Sequence, residues 1–136
     1  MCMKVECVKF VIKGIAPSEN HANGRARNGR LFPSKEYKAW KKVCEGLKIQ
    51  KIVDSEFYET ERVFHFPLHW KNGNLKKKDT TSYIKYTDDE LVKRLITYND
   101  KQIDDCQIKM GSEEKVDCKE GEEYTEWTIW SIGDNE

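Results

Sequence analysis

Hydrophobic spacing along this chain switches from a period of two to a helical period and back, twice, and that alternation restricts the fold more than any other feature. Between residues 3 and 13, Val5, Cys7, Lys9 and Val11 alternate with Val8, Phe10 and Ile12, the pattern of a half-buried strand. Tyr37, Trp40, Val43, Cys44 and Leu47 recur at helical spacing behind Ser34, a good N-cap, and predict a helix over about 35–48. Period two returns from Glu56 to Trp70, where Phe64, Phe66, Leu68 and Trp70 fall on one face. Pro67 lacks a ladder donor there and marks an edge or a bulge. Lys71-Asn-Gly-Asn74 is a turn signal, and Ile84, Leu91 and Leu95 then resume the helical period, with Asp79 and Thr80 as N-cap candidates. Ile103 to Met110 and Tyr124 to Ile132 read as the last two strands, with Trp127 and Trp130 on opposite faces. The order β-α-β-α-β-β, with about four strands and two helices packed on one sheet, describes a single α+β domain. Its 136 residues suffice for one such domain around one core.

Two connections stand out. Residues 14–33 form an expected long loop that holds Gly14, Gly24, Gly29, two prolines and the three arginines Arg25, Arg27 and Arg30. Loops of that length tend to be functional. Residues 111–123 form an expected acidic connection, and the stretch from Glu113 to Glu126 reads as a solvated hairpin. The formal net charge is zero, but it is unevenly placed. Residues 1–78 carry 17 Lys or Arg against 8 Asp or Glu, residues 79–110 carry 5 against 7, and residues 111–136 carry 2 against 9. Such asymmetry is compatible with a basic nucleic-acid face and a separate acidic segment.

No apolar run approaches the ~20 residues of a membrane span, and the N-terminus lacks the continuous apolar stretch of a signal peptide. A cytoplasmic protein with no membrane partner is the expectation. The five cysteines show no paired CxxC spacing, which points to reduced thiols rather than a zinc site. His65 and His69, four apart on an expected strand, would stand about 13 Å apart and share no metal. His21 lies in the arginine-rich loop.

The segment with most chemical content is residues 76–103. Lys76, Lys77 and Lys78 lead into Asp79, and a helix follows on which Thr81, Lys85 and Asp89 lie along one face at i, i+4 and i+8. The chain then returns through Asn99, Asp100 and Gln102. A strand end, a helix and a return strand can bring Asp79, Lys85 and Asp100 together. Two carboxylates and an ammonium suit phosphodiester hydrolysis: carboxylates seat Mg²⁺, and a lysine stabilises charge developing on phosphate. The lysine run would bind flanking phosphates. The same residues also read as ordinary structure, with Asp79 and Thr80 as caps, Lys85 and Asp89 as a surface pair, and Asn99-Asp100 as a turn.

The order of a basic run, Asp79, Lys85 and then Asn99-Asp100-Lys101-Gln102-Ile103 resembles the RusA family of Holliday-junction resolvases. That family has an Asp-x-Asp-Asn stretch, a lysine shortly downstream and a later Asp-Asp-x-Gln-Val stretch. Pro17-Ser18-Glu19-Asn20 is similar to its Pro-Ser-x-Asn segment, and Tyr37 falls in the first helix. The resemblance spans roughly residues 5–110. It implies a RusA-like fold, Mg²⁺ as cofactor, and Asp79, Lys85 and Asp100 as catalytic residues, with Asp79 and Asp100 as metal ligands. It also implies contacts to branched DNA through Lys76, Lys77, Lys78, Gln102 and an arm bearing Arg25, Arg27 and Arg30. A homodimer nicking four-way junctions in recombination or repair, of phage or prophage origin, completes the expectation. One departure is Thr81, which stands where the family has its second aspartate, with Ser82 after it. A hydroxyl is a poorer Mg²⁺ ligand than a carboxylate, though it can bind metal or orient a coordinated water; Asp88 or Asp89 is placed to compensate. The alternatives are a junction-binding protein of the same fold with weakened catalysis, or a small structural protein whose capped helix merely resembles the motif.

Overall fold

The computed structural model describes residues 2–17, 23–25, 27–29, 31–76, 81–97 and 102–134, apart from the side chains at 2, 23, 25, 81, 82, 96, 97 and 134. In chain order its elements are β1 (Cys2–Lys13), β2 (Asn23–Arg25), β3 (Leu31–Pro33), α1 (Lys35–Glu45), β4 (Gln50–Ile52), β5 (Phe57–His65), α2 (Thr81–Arg94), β6 (Leu95–Thr97), a 3₁₀ turn (Asp105–Gln107), β7 (Ile108–Val116) and β8 (Tyr124–Asp134). The four long strands form one mixed sheet in the order β1-β8-β5-β7. β8 pairs antiparallel with both β1 and β5, and β7 pairs parallel with β5. Two helices and a four-stranded sheet in one small domain make the α+β architecture that the periodicity predicts.

Strand parity decides which face the helices cover. Tyr58, Thr60, Arg62 and Phe64 alternate inward along β5, and Thr125, Trp127 and Ile129 do so along β8. β1 contributes Phe10 and Ile12, and its bulge between Glu6 and Val8 turns Lys4 and Glu6 to the opposite side. Phe10 stacks on Trp127 with ring centroids 6.1 Å apart. α1 begins where Ser34 Oγ accepts the Tyr37 N–H at 3.2 Å, and it lays Tyr37, Trp40 and Cys44 on this core. It stops at Gly46, earlier than the expected 48, because the Gly46 and Leu47 N–H groups close tight turns onto Val43 O and Cys44 O. Each large apolar side chain so buried contributes about 1.5–3 kcal/mol.

Several expectations shift. The strand read as running to Trp70 ends at His65, since Pro67 offers no ladder donor. The Phe66 N–H still reaches Val116 O at 3.1 Å, but Trp70 sits on a separate exposed turn. The third strand starts at Ile108 rather than Ile103, because Asp104 and Gln107 form a capping box that winds the 3₁₀ turn. β7 then runs to Val116, so the first half of the expected acidic connection is strand. Residues 113–126 do not form a hairpin, since β5 lies between β7 and β8. The long basic loop contains the small β2–β3 hairpin, and β4 pairs with β6 in parallel. Among the described residues no helix is long and apolar enough to cross a membrane.

Candidate functional site

α2 carries most of the candidate site, and its attachment to the sheet fixes where the site faces. Trp40 of α1 donates its indole N–H to Tyr86 O (3.1 Å), and the Tyr37 and Tyr86 rings meet edge to face at 4.7 Å. Leu91 and Val92 complete the buried side of the helix, and Leu95, the first residue of β6, is buried beside them. Beneath it lies a polar knot. Trp127 Nε1 donates to Asp88 Oδ1 at 2.9 Å, Thr60 Oγ1 donates to Asp88 Oδ2 at 2.9 Å, and Arg62 Nη2 lies 3.5 Å from the same oxygen. Arg62 Nη2 also donates to Thr60 O (2.8 Å) and Thr60 Oγ1 (2.6 Å). The Arg62 side chain is wholly buried, and its Nε and Nη1 have no partner among the described residues. Burial raises the Asp88 carboxyl above the usual carboxylate range; Arg62, Trp127 and Thr60 pull it part of the way back.

One residue further round the helix, Asp89 faces a groove of ≈ 640 Å³. Ile84, Lys85, Asp88, Val92 and Lys93 extend its α2 wall, Gln102, Ile103 and Asp105 form the opposite wall, and Ile108 and Met110 of β7 close the floor. Gln102 Nε2 donates to Lys93 O at 3.2 Å, which ties the returning chain to the last turn of α2. Burial again raises the Asp89 carboxyl; Lys93 and Lys85 oppose that shift, while Asp105 and Asp88 reinforce it. The result is a half-enclosed groove with carboxylates at its middle, ammonium groups on its rim and an apolar floor. Lys85 Nζ stands 5.3 Å from the Tyr86 ring centroid, so its exposed head group is steadied on an aromatic face.

Of the residues expected to form the site, Lys85, Asp89 and Gln102 line this single groove. Lys76 lies apart, at the base of the turn beyond β5, with its Nζ 4.7 Å from the Trp70 ring centroid. Arg27 is exposed between β2 and β3, and Arg25 falls within β2. Thr81 is the first residue of α2, but its side chain lies outside the described residues. Asp79, Asp100, Lys77, Lys78 and Arg30 lie outside them entirely, as do Ser18 to His21 of the expected loop motif.

Among the described residues no three His, Cys, Asp or Glu side chains come together in a way that could hold a metal ion. Asp88 does not stand in for the aspartate that Thr81 replaces, because both of its oxygens are engaged by Trp127, Thr60 and Arg62. Asp89 on α2 and Asp105 on the opposite wall are the carboxylates left facing the groove. Asp105 was missed by sequence reasoning. Its signal was its place three residues after Gln102, on a segment that must return to the sheet beside α2.

His65, at the end of β5, and His69, on the turn beyond it, share no ligand. His65 Nε2 lies 2.8 Å from Glu126 Oε2 and its ring stacks on Tyr124 at 3.8 Å, whereas His69 Nδ1 faces Asp117 at 3.7 Å. Trp127 is core, and Trp130 lies on the uncovered side under Lys4 Nζ at 5.0 Å. No family model matches the chain, and no curated protein matches it.

Proposed function

We propose that this chain is a structure-selective, Mg²⁺-dependent endodeoxyribonuclease of the RusA type, nicking four-way DNA junctions as a homodimer. The observation that carries the reading is the groove beside α2, where Lys85, Asp89 and Gln102 from two separate segments share one lining. Lys85 and Gln102 are positions that the sequence motif singles out, and Asp89 is one of the two carboxylates expected to compensate for Thr81. An ordinary capped helix with a surface ion pair gives no reason for Gln102 to meet the same groove as Lys85.

Lys85 places an ammonium group at the rim, where it would hold a non-bridging phosphate oxygen and stabilise the charge that develops there. Asp89 keeps its proton to a higher pH than an exposed carboxyl would, for the burial already described. Asp79 and Asp100, with Asp89 and the Thr81 hydroxyl as further donors, are the residues that would hold Mg²⁺. Bound there, the ion supplies Lewis-acid stabilisation of the phosphate and a more acidic water. Lys76, Lys77 and Lys78 with Arg25, Arg27 and Arg30 would meet backbone phosphates, which makes binding steeply salt-dependent. A two-fold dimer would present two grooves to opposing strands.

The test is cleavage of a synthetic four-way junction and of the matching linear duplex, with Mg²⁺ and with chelator. Wild-type protein is expected to nick only the junction and only with Mg²⁺. Lys85→Ala is expected to lower the nicking rate roughly 10²-fold or more while junction binding persists, and Asp79→Asn to abolish it. Nicking that survives in chelator, or that Asp79→Asn leaves undiminished, refutes the assignment. Junction binding without nicking by wild type would leave the binding-only reading in its place.

A further inference from the structure

Beyond Pro67 the chain folds into a tight turn whose structure owes nothing to its largest side chain. The Trp70 N–H donates to Asn74 O (2.8 Å), the Gly73 N–H to Trp70 O (2.9 Å) and the Lys76 N–H to Leu68 O (2.6 Å). Gly73 supplies the left-handed residue at φ 88°, and the Asn74 N–H donates to Asn72 Oδ1 at 3.0 Å. At the base, the Leu68 N–H donates to Asp117 Oδ1 (2.8 Å), and His69 pairs with Leu75 as an isolated bridge. None of these bonds uses the Trp70 indole. The residue is nevertheless 59% exposed, in a protein whose Trp40 and Trp127 are buried.

The surroundings say what such a ring could meet. Lys76 Nζ stands 4.7 Å from its centroid, and residues 67–78 contain Lys71, Lys76, Lys77 and Lys78 with no acidic residue. Among the described residues, the acidic groups that share a cavity with Trp70 are Asp117 and Glu120 of the β7–β8 connection, and Asp117 is engaged with the Leu68 N–H. A rigid aromatic face flanked by ammonium groups complements a nucleobase on its phosphate backbone: the ring stacks and the charges neutralise.

We propose that Trp70 is a stacking platform for an unpaired base of branched DNA. This rests on the endonuclease reading in taking DNA as the ligand, and adds how a branch is told from a duplex. Bases within a duplex already stack on each other, so the indole gains only where a strand is opened. The base of the turn meets the first turn of α2, where Pro67, Lys76 and Tyr83 line one cavity and the Phe66 and Tyr83 rings lie 6.2 Å apart.

Binding is measured in chelator, so that cleavage plays no part, on a junction carrying a fluorescent adenine analogue at the branch and on the linear duplex. Wild type is expected to favour the junction and to change the analogue's emission. Trp70→Ala is expected to weaken junction binding roughly five- to a hundredfold, abolish the emission change and leave duplex binding as it was. Trp70→Phe, which keeps an aromatic face, should retain most of the preference. Equal junction affinity in wild type and Trp70→Ala overturns the proposal and leaves the endonuclease reading standing. Parallel losses on junction and duplex also overturn it. Wild type that binds neither DNA overturns both.

Discussion

Removing the Asp88 carboxylate should be among the most damaging single changes to this domain. Asp88→Ala leaves the Arg62 guanidinium, wholly buried, without its anion, and leaves the Trp127 N–H and Thr60 hydroxyl without their acceptor. Breaking a buried pair from one side costs about 3–5 kcal/mol, and an orphaned buried N–H costs about 1–3 kcal/mol. Because the two losses overlap, a total near 4 kcal/mol is expected. For a domain of this size each kcal/mol moves Tm by about 3–5 °C, so the variant should melt more than about 10 °C below wild type. Urea unfolding followed by tryptophan fluorescence gives the free energy directly. The double variant Arg62→Met with Asp88→Leu buries no charge and should recover to within about 2 kcal/mol of wild type. A single-variant loss below about 1 kcal/mol, or a double variant no better than the single, refutes the pairing as the anchor of α2. Titration gives a second reading of the same site. Burial raises the Asp88 carboxyl in the folded state, so the native protein holds that proton more tightly than the unfolded chain does. Its contribution to stability is therefore complete in acid, below the unfolded value, and is lost as pH rises through the folded value. Asp88→Asn does not titrate, so the stability difference should move in favour of the Asn variant as pH rises from about 3 to 7. Movement in favour of wild type would mean that attraction to Arg62 outweighs burial.

Three further outcomes are expected. Gly111→Ala should cost about 1–3 kcal/mol in urea unfolding, because a Cβ there would lie 2.6 Å from Thr60 O at the β5–β7 bulge; an unchanged midpoint would show that the strands separate freely. The Glu126 carboxyl is held below the usual range by its hydrogen bond to His65, with Lys9 assisting, so its contribution is present above the unfolded value and is lost as pH falls through the folded one. Glu126→Gln should flatten that part of the acid limb of stability, and a limb identical to wild type counts against the pair. Cys44 is fully buried and burial pushes its thiol up to about 12, so alkylation of native protein in mild alkali, followed by mass spectrometry, should spare it until unfolding. Modification of Cys44 as fast as of the exposed Cys106 would contradict its placement.

What was legible in the sequence was local phase. Ser34 with Tyr37, Trp40 and Cys44 specified α1 through a cap and a stripe, and both formed. Period two along Phe57 to His65 and along Tyr124 to Ile132 placed the strands, and it put Trp127 and Trp130 on opposite faces. Strand order was not legible. The insertion of β8 between β1 and β5 depends on contacts between residues 59 or more apart, for which local spacing carries no signal. The three-residue pairs β2–β3 and β4–β6 are too short to show a period at all.

The Arg62–Asp88 knot falls between these cases. Hydropathy assigns both residues to solvent, yet phase assigns both to the interior. Arg62 shares parity with Tyr58 and Phe64, and Asp88 lies four after Ile84 and three before Leu91. Phase wins because a strand or helix cannot turn one residue outward without misplacing its neighbours, and the opposite charge of each partner offsets part of the cost of burying the other. About 100° of helix rotation then separates Asp88 from Asp89. The first fixes the helix to the sheet from beneath, and the second joins Lys85 at the groove. Asp88 borders the same groove, but both of its oxygens are already held by Trp127, Thr60 and Arg62, so substitution at 88 should register first in stability and substitution at 85 in activity.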